Sequence, residues 1–123
     1  MRALGASDLL ALWERGAGRH ALDRSALLCA WARPDVPAGR IADLPLGAVT
    51  ASLLRLHEAS FGARIPCHVD CERCGERLAL ALSVPGLLQP EVPEDTARGI
   101  DVAGLRVRAP SLRDLAAVVC ELD

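Results

Sequence analysis

The apolar residues of this chain repeat with two different periods, and the switch falls near residue 62. Before it they recur every three or four residues. After it they alternate, until the last dozen residues return to the helical spacing. The two periods are not interchangeable, because a strand sends successive side chains to opposite faces while a helix stacks positions three and four apart. The chain is therefore expected to be α+β: an N-terminal three-helix cluster, a small antiparallel sheet with a Cys-x-x-Cys knuckle, and a C-terminal helix. Its 123 residues, 51% of them hydrophobic, suit a single domain over 1–123, helical over 1–62 and carrying the knuckle, sheet and last helix over 63–123.

Ser7 is a good N-cap for the first helix, with Asp8 in the first turn where the helix dipole favours it. Leu9, Leu12 and Trp13 share one face, and Gly16 and Gly18 stop the helix. A second helix is expected from near Asp23, turning Leu27, Leu28 and Trp31 inward before Pro34 ends it. Residues 33–47 hold Pro34, Pro37, Gly39, Pro45 and Gly47 and read as an ordered loop. A third helix places Leu46, Val49, Leu53 and Leu56 on one stripe and closes at Phe61-Gly62. The three helices are expected to pack around Trp13, Trp31 and Phe61.

In the second half Leu78, Leu80, Leu82 and Val84 alternate with small residues, the pattern of a half-buried strand over 77–84. Residues 89–98, acidic and rich in proline, read as an exposed loop. Ile100, Val102, Leu105 and Val107 alternate around Gly104, which marks a turn. Ser111 and Asp114 have capping-box spacing, and Leu112, Leu115, Ala116 and Val119 form the stripe of a last helix.

Composition removes several function classes. The formal net charge is -2, and all 14 basic residues are Arg. Leu and Ala contribute 21 residues each, a bias expected of a GC-rich genome, so the arginines carry little functional signal by themselves. Two Trp and one Phe are too few for the stacking platform of a single-stranded nucleic-acid binder, and the charge does not suit a surface that tracks phosphates. No apolar run approaches the roughly 18 residues of a membrane helix. Asp8 and Glu14 interrupt the only N-terminal segment that could resemble a signal peptide. The expectation is a cytoplasmic protein, in which five cysteines serve as thiols or metal ligands rather than disulfides.

The chemistry concentrates in Cys67-His68-Val69-Asp70-Cys71-Glu72-Arg73-Cys74-Gly75-Glu76. Cys71 and Cys74, two residues apart and followed by Gly75, have the form of a zinc knuckle, in which a tight turn aims both sulfurs at one ion. A structural zinc needs four ligands, and one pair supplies two. Cys67 is the best local third ligand and His68 the competing choice, since adjacent residues rarely ligate one ion together. Cys120, Cys29 or a second chain would complete the shell. The bland alternative is three reduced loop cysteines. A redox dithiol fits poorly, because such pairs usually sit where a strand meets a helix N-terminus, and this one precedes a strand pattern.

Other candidates favour structural readings. His20 reads as a solvated turn residue and His57 as a packed or boundary histidine on a helix. Cys29 and Cys120 lie on apolar helical faces, where buried thiols behave as small hydrophobes. Gly16-Ala17-Gly18 lacks the setting of a dinucleotide loop. Arg106 and Arg108 mark the wet face of a strand, and Glu91, Glu94 and Asp95 read as solvated charge rather than a carboxylate pair. No catalytic constellation emerges, and an enzyme using Cys67 with a histidine has nothing to orient the pair.

Leu10-Ala-Leu-Trp-Glu-Arg-Gly16, followed by Arg19-His20-Ala-Leu-Asp-Arg24, resembles the start of the T4-type baseplate hub assembly chaperone family. Its members occur in phages and in gene clusters for phage-tail-like contractile injection systems. The resemblance continues through Asp43-Leu-Pro-Leu-Gly47, Ser60-Phe61-Gly62, Cys71-Glu-Arg-Cys74-Gly-Glu-Arg-Leu78 and Leu105-Arg-Val-Arg-Ala-Pro-Ser-Leu-Arg-Asp-Leu115. It covers nearly the whole chain in order, as the N-terminal part of such proteins. Similar proteins continue through further helices to a second Cys-x-x-Cys that this sequence lacks, which leaves Cys67 and His68 as this chain's own candidates for the missing ligands. The resemblance implies a non-enzymatic assembly factor or structural component of a baseplate, with hub or baseplate proteins as partners and self-association as one way to cover the last helix. The competing reading is a free-standing zinc-knuckle adaptor or regulator.

Overall fold

The computed structural model describes residues 1–88 and 98–122, with side chains to residue 120. The architecture is α+β. Helices α1 (Ala6–Gly16), α2 (Ala21–Ala32) and α3 (Leu46–Phe61) come first, with a short 3-10 helix at Ala38–Asp43 between the last two. Strands β1 (Arg64–Asp70) and β2 (Arg77–Ser83) form an antiparallel hairpin that leads into the single turn α4 (Val84–Leu87). Strands β3 (Ile100–Val102) and β4 (Leu105–Val107) form a second, separate hairpin, and α5 (Leu112–Leu122) follows.

The helix starts depend on local hydrogen bonds. α1 begins two residues earlier than a Ser7 N-cap implies, because the Gly5 N–H donates to Asp8 Oδ2 at 3.0 Å and makes Gly5 the N-cap. α2 begins at Ala21 rather than near Asp23, since His20 Nδ1 accepts the Leu22 N–H at 3.2 Å. The capping box at α5 forms as its spacing predicts. The Ser111 N–H donates to Asp114 Oδ2 at 2.8 Å, and the Asp114 N–H donates back to Ser111 Oγ at 3.3 Å.

The core is aliphatic. Cys29 from α2, Ile41 from the 3-10 helix, Val49 from α3 and Leu112 from α5 form its centre, and Leu12, Ala32, Leu56 and Val84 are also buried. The expected aromatic centre does not form: Trp13 is 78% exposed and Phe61 lies at the surface, while Trp31 is half-buried beneath the Arg2 guanidinium, 4.6 Å from its ring centroid. The reason lies in α1. Leu12 and Gly16 make its buried line, and Gly16 admits the Arg24 stem, which an added Cβ would meet at 3.4 Å. Trp13 stands about 100° further round the helix and misses that line.

The last helix is tied to the first half at its start. The Leu46 N–H donates to the Pro110 carbonyl at 2.9 Å, and Arg113 pairs with Asp43 at 2.7 Å. Cys120, expected on a buried face, is exposed. The strand read over 77–84 ends at Ser83, and Val84 instead opens α4, fully buried, with Ser83 Oγ accepting the Gly86 N–H at 3.3 Å. Residues 89–97, with Glu91, Glu94 and Asp95, lie outside the described residues. Among the described residues no helix is long and apolar enough to cross a membrane.

Candidate metal centre

The two halves of the first hairpin pair in a continuous register from Arg64↔Ser83 to Asp70↔Arg77. The Asp70–Arg77 ion pair, 3.0 Å, closes the ladder at the end where the chain turns. The turn is residues 71–76, so the Cys-x-x-Cys sits at the tip of the hairpin, not at the start of a sheet. Two backbone bonds hold it: the Cys71 N–H donates to the Glu76 carbonyl at 2.8 Å, and the Gly75 N–H donates to the Cys71 carbonyl at 2.7 Å. Gly75 has φ +72°, in the left-handed region that a residue with a Cβ enters only at a cost. The knuckle's requirement for glycine directly after the second cysteine is therefore met by this backbone.

The sulfurs are close together. Cys71 Sγ accepts hydrogen bonds from the backbone N–H of Cys74, from that of Arg73 and from the Cys74 thiol, which together hold the Cys71 thiol below its ordinary pKa. Amides aimed at sulfur stabilise a thiolate, which is the form that binds metal. Cys71 is half-buried and Cys74 is exposed.

The remaining candidates are placed elsewhere. Cys67 and His68 lie within β1, four and three residues before the knuckle, and point to opposite faces of the strand. Cys67 stands across from Leu80, and its thiol donates to the Ile65 carbonyl at 3.4 Å. His68 stands across from Ala79. Among the described residues, no group of three or more His, Cys, Asp or Glu side chains is arranged to hold a metal ion. The structure thus brings Cys71 and Cys74 together and leaves Cys67, with His68 as the alternative, outside the pair. The signal for β1 was present in the sequence, since Ile65, Cys67 and Val69 alternate as Leu78, Leu80 and Leu82 do.

Cys29 is buried in the core, and that burial pushes its thiol pKa up. His57 packs on Phe61 with ring centroids 5.3 Å apart, in keeping with a boundary histidine. Arg106 reaches the Arg98 carbonyl at 2.8 Å, and Arg108 grips Asp114 with both terminal nitrogens, so both serve local structure. Comparison of the chain with family models, with curated proteins and with solved structures yields no match.

Proposed function

We propose that this chain is a non-enzymatic assembly factor or structural component of a phage-like contractile tail or injection-system baseplate. In this reading it binds protein partners through apolar faces in the bacterial cytoplasm, with Cys71 and Cys74 as ligands to a structural zinc. The observation that carries the protein-binding part is the apolar surface left without cover. Among the described residues, Trp13 is 78% exposed, Leu105 69%, and Leu10, Phe61 and Ile100 60% each.

That surface has identifiable parts. Ile65, Cys67 and Val69 on β1 oppose Leu82, Leu80 and Leu78 on β2 and make one apolar hairpin face, on which Leu80 is 40% exposed. Between α1 and α2 an open groove of about 400 Å³ is lined by Leu9, Leu12, Trp13, Gly16, Leu27 and Leu28, among others. Trp13 is the kind of large amphipathic side chain that anchors protein interfaces. Assignment to a baseplate rests on the ordered sequence resemblance from Leu10 to Leu115. The knuckle geometry is equally compatible with a free-standing zinc-knuckle adaptor, which is the second reading.

The test is affinity capture of the tagged full chain from the organism that encodes it, read by mass spectrometry. Recovery of hub, spike or wedge proteins of a contractile particle supports the baseplate reading. Recovery of unrelated regulators alone, with those baseplate proteins present in the lysate, overturns it in favour of the adaptor.

A further inference from the structure

We infer that zinc is held between two copies of this chain, with Cys71 and Cys74 of each supplying half of a four-thiolate site. The inference rests on the reading of the pair as zinc ligands and adds where the other two ligands come from. A structural zinc is almost always tetrahedral and four-coordinate. The described part of one chain offers two sulfurs and no third His, Cys, Asp or Glu arranged with them. Of the other cysteines, Cys29 is buried in the core, Cys67 lies in the β1 ladder, and Cys120 is exposed on α5, none of them grouped with the pair among the described residues.

The position of the pair suits sharing. It occupies the tip of a hairpin whose turn residues 72–76 are all exposed, so a second tip can approach without displacing any packed element among the described residues. The turn is already set by the Gly75 backbone and its two hydrogen bonds, so little ordering is needed on binding. Just behind the sulfurs, Val69 and Leu78 face each other across the strands and are each about half exposed, which gives two meeting tips apolar surface to bury. Glu72 and Arg73 are adjacent, opposite in sign and without an ion-pair partner among the described residues. In a two-fold contact each patch meets itself reversed, so Glu72 of one copy can face Arg73 of the other.

The experiment adds zinc sulfate to the full chain kept reduced with a phosphine, and reads stoichiometry and mass by native mass spectrometry. The expected result is one zinc per two chains in a dimer that chelator returns to monomer. Cys71→Ser and Cys74→Ser, each checked for folding by circular dichroism, are expected to lose both zinc and dimer, whereas Cys67→Ser and Cys120→Ser keep both. One zinc on a monomer overturns the shared site and leaves the zinc knuckle standing. No zinc on the wild-type chain overturns both. A dimer that forms without zinc, or that survives in Cys71→Ser, overturns the shared site, as does loss of zinc in Cys67→Ser.

Discussion

Asp114 shows how much one side chain can organise. Its carboxylate takes Arg108 in a two-nitrogen grip at 2.5 and 2.7 Å, the Ser111 N–H at 2.8 Å and the Ser111 hydroxyl at 2.9 Å. The Arg108 bonds first, then those from Ser111, hold its pKa far below the ordinary carboxylate range. A carboxyl depressed on folding contributes stability that is fully present above its unfolded pKa, near about 3.9, and is lost as pH falls through the folded value. Thermal melts between pH 7 and pH 2 should therefore show a falling melting temperature below about pH 4. Asp114→Asn should lower the melting temperature at pH 7 and flatten that acid slope. Some slope should remain, because Asp43 beside Arg113 and Asp35 beside Arg33 are depressed in the same way. An unchanged slope in the variant would remove Asp114 from this role. Ser111→Ala, at the buried N-cap, should cost about 1 kcal/mol in chemical denaturation.

Among the elements, the second hairpin states its rule most clearly. β3 and β4 are joined by Ala103 and Gly104, with φ of 49° and 79°. Positive φ at both central residues is the two-residue hairpin turn that matches strand twist, and it favours Asn-Gly. The turn expected at Gly104 is thus present, but Ala103 fills its first position at a steric cost that Asn does not carry to the same degree. Ala103→Asn should stabilise the hairpin by about 0.5–1 kcal/mol, read as slower amide exchange in β3 and β4. Ala103→Val should speed that exchange. If both variants exchange alike, the turn does not limit the hairpin. The first hairpin obeys the same period-two logic without a second layer over its apolar face among the described residues, and two-stranded hairpins alone are marginal in water. α4 compensates at its end by sinking Val84 completely into the protein.

Taken as a whole, the molecule separates what stabilises it from what it leaves available. Ile41, 2% exposed, brings the 3-10 helix into a core shared by α2, α3 and α5. Ile41→Ala should cost about 2–5 kcal/mol, since deleting a buried aliphatic side chain loses transfer energy and leaves a cavity. Trp13→Ala removes a larger side chain and should change stability by only about 0.5 kcal/mol, because an exposed residue away from the core has little to lose. On the proposed reading of this face as a docking surface, the same Trp13→Ala should weaken capture of a protein partner while the fold persists. Equal destabilisation by the two variants would mean that Trp13 is buried in solution. Such a contrast is expected of a chain that keeps an aliphatic core and leaves Trp13 at its surface.

The sequence by itself determined the order and kind of most elements. Apolar period separates helix from strand, Pro34 ends α2, Gly62 follows α3, Ser111 and Asp114 cap α5, and Gly75 and Gly104 set turns. These rules act within a few residues, through sterics and local hydrogen bonds, so a linear reading reaches them. It also made the Cys71–Cys74 pair legible, because three residues of chain are enough to bring those sulfurs together. Long-range packing decided the rest. Whether Trp13 or Leu12 faces α2, whether Leu80 meets a cover, and whether Cys67 or His68 joins the knuckle all depend on surfaces brought together from distant parts of the chain. Period tells a residue which side of its own element it occupies; only the tertiary structure decides whether anything lies against that side.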